Sequence, residues 1–223
     1  MSTIAAADQP VNRVQELVSR LVARPRFWLA LLAIPAAWPL IWALKTPIPP
    51  KLPVLATLPA FQLTDQAGHP FGSKELEGRA WVASFIFTRC ATICPNITAK
   101  MTRIQDRTRN LGAAFHLVSF SVDPEFDTPQ RLEAYARAHR ASPRLWSFLT
   151  GPEAEVKEAV VGGLKIAVGR EKSEDGRFEG IFHGSHLVLV DQRGRVRGYY
   201  DSDDAGVVDQ VVRDAGLLAN RGD

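Results

Sequence analysis

The sequence predicts an α/β domain carried behind one N-terminal transmembrane helix. Three observations lead there. Residues Phe27 to Leu44 form an uncharged, mostly apolar run of 18 residues, close to the minimum that spans a hydrocarbon core of ~30 Å. Further on, Trp81–Phe87 (WVASFIF) and Phe115–Val122 (FHLVSFSV) are short and almost wholly apolar, as strands buried on both faces are. Helical stripes or helix-start signals follow each of them. At 223 residues, 46% apolar and 23% charged, the chain has room for one good-sized domain and an appendage. A formal charge of only +3, with no basic run interleaved with aromatics, argues against nucleic-acid binding.

The appendage comes first. Val11, Val14, Leu17, Val18, Leu21 and Val22 recur at helical spacing with polar residues opposite, predicting a short amphipathic helix on a membrane surface. Arg24 and Arg26 precede the apolar run and Lys45 follows it; Trp28 and Trp42 sit near its ends, where amphipathic rings prefer the interface. Pro35 and Pro39 are tolerated within a membrane helix. The run is long and starts late, and no small-x-small cleavage site follows it, so it reads as a retained anchor rather than a signal peptide. Arg13, Arg20, Arg24 and Arg26 outweigh Asp8 and Glu16 before the run. The positive-inside rule then leaves residues 1–26 in the cytoplasm and the domain outside. For a bacterium this predicts a single-pass inner-membrane protein with a periplasmic domain. Pro47, Pro49, Pro50 and Pro53 make residues 45–57 an extended, semi-rigid spacer, and residues 58–223 are left for the domain.

Within the domain, Phe61–Asp65 followed by Gly68 reads as a strand and turn. Trp81–Phe87 is a central strand. After Pro95, residues Ile97, Met101, Ile104 and Leu111 form a helical stripe. Phe115–Val122 is a second buried strand, and Asp127-Thr128-Pro129 starts a helix with Leu132, Tyr135 and Ala136 inward. Glu153–Val161 is a further helix. His186–Val190 and Val196–Tyr200 flank Asp191-Gln192-Arg193-Gly194, a hairpin signal. Val207, Val208, Val211, Val212 and Leu217 mark a closing helix. Strands alternating with helices, then a hairpin and a helix, fit an α/β sandwich, and a thioredoxin-like fold has this order.

The chemistry concentrates at Thr88-Arg89-Cys90-Ala91-Thr92-Ile93-Cys94-Pro95, which holds the only two cysteines in the chain. A thiol at a helix N-terminus feels the positive end of the helix dipole, which favours the thiolate. Such a pair can bind a thiophilic metal or shuttle a disulfide. Two sulfurs alone do not make a structural zinc site, whereas Cu(I) is softer and is satisfied by two thiolates and an imidazole. Among the five histidines, His69 lies in an early turn, His116 inside a predicted strand and His139 on a predicted helix surface; structural or solvated roles suit all three. His183 and His186 are better placed to reach the cysteine turn, and composition does not choose between them. A structural disulfide, a thiol–disulfide oxidoreductase without stored metal and a peroxidase-like thiol enzyme stay open as alternatives at this point.

The residues resemble the Sco/SenC family of membrane-anchored, thioredoxin-fold copper chaperones for cytochrome c oxidase assembly. The likeness covers roughly residues 58–217. It is carried by Trp81–Thr88 leading into the CxxxCP turn, by Ser119–Pro129 (SFSVDPEFDTP) and by His183–Gly194 (HGSHLVLVDQRG). The resemblance implies copper ligands at Cys90, Cys94 and His183, the histidine counted back from Gly194. His186 stands where the family usually has a small or apolar residue. Asp123 matches an acidic residue near the family site, either orienting the site or serving only as a turn residue. The implied partner is the copper-site subunit of the oxidase, along with periplasmic copper chaperones or thiol reductases. The implied activity is copper delivery, or reduction of the target's cysteines, rather than enzymatic turnover.

Overall fold

Hydropathy period separates the two helices at the N-terminus. Helix α1 (Val11–Val22) is strongly amphipathic, whereas α2 (Pro25–Lys45) is apolar all round, with Pro35 and Pro39 inside it. The computed structural model describes residues 11–45, 51–172, 178–183 and 185–221, and it divides into two compact units, Met1–Lys51 and Leu52–Asp223. Among the described residues, no helix is long and apolar enough to cross a membrane. The transmembrane helix expected over Phe27–Leu44 is therefore not found there. That run lies within α2, but its side chains at positions 30, 34, 36, 40, 43 and 44 fall outside the described residues.

The second unit is built on one sheet. Its strands are β1 (Ala56–Thr57), β2 (Gln62–Asp65), β3 (Pro70–Gly72), β4 (Ala80–Ile86), β5 (Phe115–Ser121), β6 (Trp146–Thr150), and then, after a separate two-stranded ribbon of β7 (Val168–Lys172) and β8 (Phe178–His183), β9 (His186–Val190) and β10 (Arg195–Asp201). The order across the large sheet is β1-β10-β9-β4-β5-β6-β2-β3. Strands β4, β5 and β6 run parallel, while β9 and β2 are antiparallel to their neighbours. Every residue of β4, β5 and β6 is buried, as the apolar runs predict for strands covered on both faces.

The helices follow from the same patterns. A short turn of helix, α3 (Ser73–Leu76), follows β3. Helix α4 (Cys94–Thr108) turns Ile97, Met101 and Ile104 into the core. Leu111, expected on that stripe, falls instead in the 3-10 turn Arg109–Ala114. Helix α5 (Pro129–Ala138) is capped by Thr128, whose hydroxyl accepts from the Arg131 N–H, and buries Leu132 and Ala136. Helix α6 (Glu153–Lys157) runs into one wider π turn, Glu158–Gly163. Helix α7 (Val207–Arg221) closes the unit. It meets α4 through the Arg107–Asp209 ion pair, and Lys100 of α4 donates to the Ser202 carbonyl.

Two polar arrangements inside this core set its register. Ser84 Oγ of β4 lies 2.7 Å from Ser119 Oγ of β5, which also accepts from Trp146 Nε1 of β6 at 2.9 Å. At the hairpin, Gly194 takes a positive φ of 71°, a conformation that only glycine adopts cheaply, and Asp191 is fully buried beneath the turn. Its carboxylate accepts from Arg195 Nε at 2.8 Å, from Arg197 Nη1 at 2.7 Å and from the backbone N–H groups of Arg193 and Arg195.

Residues 52–57, expected as spacer, belong to this sheet. Arg197 donates from Nη2 to the Leu52 carbonyl at 2.6 Å and from Nε to the Pro53 carbonyl at 3.2 Å, and β1 pairs with β10. Pro53, the one proline of this stretch, lacks an N–H but keeps a carbonyl that accepts, so it is tolerated beside an edge strand. A chain lacking residues 1–45 is expected to remain folded and soluble. Starting at residue 58 instead removes β1 and both carbonyls that Arg197 holds, and thermal unfolding is expected several degrees lower. Equal midpoints for the two truncations would refute this role for residues 52–57.

Candidate metal centre

The strand–helix junction after β4 carries both cysteines. Beyond Ile86 the chain turns, with the Cys90 N–H donating to the Phe87 carbonyl at 3.1 Å, and α4 begins at Cys94 itself. Pro95 lies in its first turn, where its fixed φ suits a helix and its missing N–H costs nothing. The residue before the helix, Ile93, supplies no side-chain cap. The sulfur of Cys90 takes that place: it accepts from the Cys94 N–H at 3.5 Å and lies 3.6 Å from Thr92 Oγ1. Neither cysteine is in a disulfide; Cys90 is half-buried and Cys94 buried.

The two thiols are unequal. Burial pushes the Cys90 thiol up, but the hydrogen bonds it receives from the Cys94 N–H, the Cys94 thiol and Thr92 outweigh this and leave it below the usual cysteine value. Burial pushes Cys94 far above that value, opposed only by a backbone hydrogen bond from Phe87. The outer sulfur is thus the readier thiolate and the inner one the reserve.

Acidic residues brace this turn from the loop after β5. Asp127 accepts from the Thr88 N–H at 3.1 Å, from Thr88 Oγ1 at 2.5 Å and from Ser121 Oγ at 2.6 Å. Burial raises this carboxyl above its ordinary value, while the hydrogen bonds from Ser121 and Thr88 pull it back. Asp123 is buried and accepts from Arg89 Nε at 2.7 Å. The Arg89 guanidinium lies over the Phe126 ring, 4.6 Å from its centroid, and Arg131 lies 3.8 Å from the same centroid. Asp123 thus makes two kinds of contact. Its carbonyl accepts from the Phe126 and Asp127 N–H groups in a turn, and its side chain holds the arginine next to Cys90. On the α5 side, Tyr135 O–H and Thr98 Oγ1 are 2.7 Å apart, and burial, aided by the nearby cysteines, raises the phenol to about 12.

Four of the five histidine side chains are described. His69 is exposed in the β2–β3 turn and His139 ends α5 against the Tyr135 ring. His116 is buried in β5, with Nε2 2.9 Å from Ser147 Oγ and its ring stacked on Phe71. His186 opens β9 opposite Asp201 and is exposed. The backbone of His183 ends β8, opposite Val168, but its side chain lies outside the described residues. Among the described residues, no three His, Cys, Asp or Glu side chains gather closely enough to hold a metal ion. Cys90 and Cys94 are thus brought together, and the third expected ligand falls outside the described set. Sequence reasoning missed Asp127 as a brace; its only signal was a third acidic residue, after Asp123 and Glu125, in the same loop.

His116 gives a pH signature independent of any metal. Burial first, and Arg79 second, push its imidazole down to about 4 from 6.5. The unfolded chain takes a proton below pH 6.5 that the fold refuses. Stability from this site is therefore complete above pH 6.5 and is lost as pH falls towards 4, by about 3 kcal/mol in all. Urea unfolding across that range is expected to show a shallower pH dependence for His116→Gln than for the parent. Identical slopes would contradict it.

The comparisons with known proteins agree with this fold. A family model described as SCO1/SenC matches residues 52–214. The SCO1 protein homolog of Bacillus subtilis (strain 168) is 33% identical over 165 residues, 74% of this chain and 83% of that protein. The structure of BsSco, a member of the Sco family of cytochrome c oxidase assembly proteins in which a disulfide switch is identified, is similar with a TM-score of 0.65 at 30% identity. It covers 77% of this chain and 98% of its own. Copper-bound ScoI from Arabidopsis thaliana is similar with a TM-score of 0.62 at 25% identity, covering 73% of this chain and 99% of its own.

Proposed function

The chain belongs to the SCO1/SenC family, and from that premise we propose that it is a membrane-anchored copper-handling factor for cytochrome c oxidase assembly. Cys90, Cys94 and His183 would hold the copper, which is cargo rather than a resident cofactor. The observation that carries this reading is the sulfur of Cys90 set against the first N–H of α4, which keeps a soft, anionic donor ready at an accessible turn. Two such sulfurs suit Cu(I), and an imidazole completes a low-coordinate set. Copper passes to the dinuclear copper site of an oxidase subunit by exchange of ligands. Asp127 and Asp123 keep the donor turn in place, the first through Thr88 and the second through Arg89.

The unequal thiols support a second activity on the same residues. The Cys90 thiolate attacks a target disulfide, forming a mixed disulfide and releasing one target thiolate. Cys94, once deprotonated, displaces the second target sulfur. The target gains two thiols as Cys90 and Cys94 close their own bond, so electrons and protons balance. A target reduced in this way is ready to accept copper.

The uncharged run within α2 and the arginines before it support anchoring, with residues 1–26 cytoplasmic and the domain periplasmic. Residues 45–51 then serve as the spacer, and the copper domain starts at 52.

The test is metal analysis with X-ray absorption on the reduced protein after addition of Cu(I). One copper is expected, with sulfur and imidazole scattering together. A reduced protein that passes a desalting column without copper would sink the proposal.

A further inference from the structure

Helix α1 carries none of the expected copper ligands, yet its sequence is sharply two-sided. Among its described side chains, Leu17, Val18, Leu21 and Val22 are between 40% and 62% exposed, although their helical spacing makes them one continuous apolar stripe. Arg13 and Arg20 are one heptad apart, and Arg24 follows one turn later. Arg20 therefore falls on one flank of the stripe, and Arg24 lies in the bend just beyond the helix end. Glu16 lies 4.0 Å from Arg20 with both side chains exposed, too weak a pair to cancel the excess of positive charge.

The link to the next helix is short and hydrogen-bonded. The Ala23 N–H donates to the Ser19 carbonyl at 3.0 Å, the Arg24 N–H to Leu21 at 3.2 Å and the Phe27 N–H to Arg24 at 3.0 Å. The indole of Trp28, in the first turn of α2, donates to the Val22 carbonyl at 2.9 Å. The amphipathic stripe is thus tied within a few residues to a helix that is apolar on every side.

We propose that α1 docks in the plane of a lipid surface, its leucine–valine stripe in the headgroup boundary and Arg20 and Arg24 on the phosphates of anionic lipids. Charge complementarity and continuity with the apolar α2 identify lipid as the occupant. A helix with a well-defined apolar face and arginines at its flank and end is the form that lies on a bilayer instead of crossing it, and long arginine side chains reach from such a boundary to the phosphates. This rests on the anchoring reading of α2 only in that α2 would keep α1 close to the bilayer.

The experiment takes the full chain into vesicles of phosphatidylcholine alone and of phosphatidylcholine with about one third phosphatidylglycerol. Flotation reports attachment, and amide hydrogen exchange reports α1. Exchange over residues 15–22 is expected to be at least about fivefold slower with the anionic lipid. That difference should vanish in Arg20→Gln/Arg24→Gln and persist in Arg20→Lys/Arg24→Lys. Leu17→Ser/Leu21→Ser should remove the protection in both lipids. Flotation on phosphatidylcholine with no lipid-dependent protection overturns the inference and leaves the anchor standing. Flotation on anionic vesicles alone, with the protection present, supports the inference and removes the anchor. No flotation on either overturns both.

Discussion

Copper retention is expected to fall about a hundredfold or more in His183→Ala, while dithiol–disulfide exchange continues at close to the parental rate. The reasoning is one of donor count. Two thiolates without a third donor leave Cu(I) open to any competing ligand, and altering even an outer-shell partner of a metal ligand commonly costs ten- to a hundredfold (~1.4–3 kcal/mol). The exchange reaction needs only the two sulfurs and the hydrogen bond from the Cys94 N–H, which His183 does not supply. Competition with a colorimetric Cu(I) chelator measures the first quantity, and reduction of a model disulfide the second. Cys90→Ser is expected to lose both. Parental copper affinity in His183→Ala would rule out the three-ligand reading and point to His186 or to the sulfurs alone.

The largest effect on stability is expected at Asp191. It is fully buried, and its carboxylate satisfies two arginines and two backbone N–H groups. Asp191→Ala leaves Arg197, itself only 4% exposed, as a buried cation held by carbonyls alone. Breaking such a pair from one side costs about 3–5 kcal/mol, and equilibrium urea unfolding at pH 7 is the measurement. A change below 1 kcal/mol, on the order of an exposed ion pair, would show that the carbonyls suffice. The pH dependence has a definite sign. Burial alone would raise this carboxyl, but Arg197, the Arg195 and Arg193 N–H groups and the Arg195 side chain hold it below the usual carboxylate range. Its stabilisation is present above about pH 3.9 and is lost as pH falls through the depressed folded-state value.

The parts legible in the sequence are those where a single local rule decides. Trp81–Phe87 and Phe115–Val122 had to be strands covered on both faces, and β4 and β5 are buried throughout. The hairpin was readable because Asp191–Gly194 combines a turn-forming acid with a glycine that takes positive φ. Strand β6 was not readable: Ser147 and Thr150 interrupt its five residues, and only the structure shows Ser147 paired with His116. The ribbon of β7 and β8 hid behind charged residues, and β1 behind its length of only two residues at the end of the proline-rich segment. At the site, the spacing of Cys90 and Cys94 before Pro95 revealed the sulfur pair. Asp127 escaped because its partner Thr88 is 39 residues away. Such a contact depends on the β4–β5 register, which sequence periodicity does not report.

That register has a mechanical meaning. Ser84 and Ser119 meet near the middle of β4 and β5, so both strands are measured from one datum. Six residues beyond Ser84 comes Cys90, and four beyond Ser119 comes Asp123. The hydroxyl contact works as a gauge stop: a slip there would be carried to the tips, misaligning Arg89 with Asp123 before any sulfur changed its chemistry.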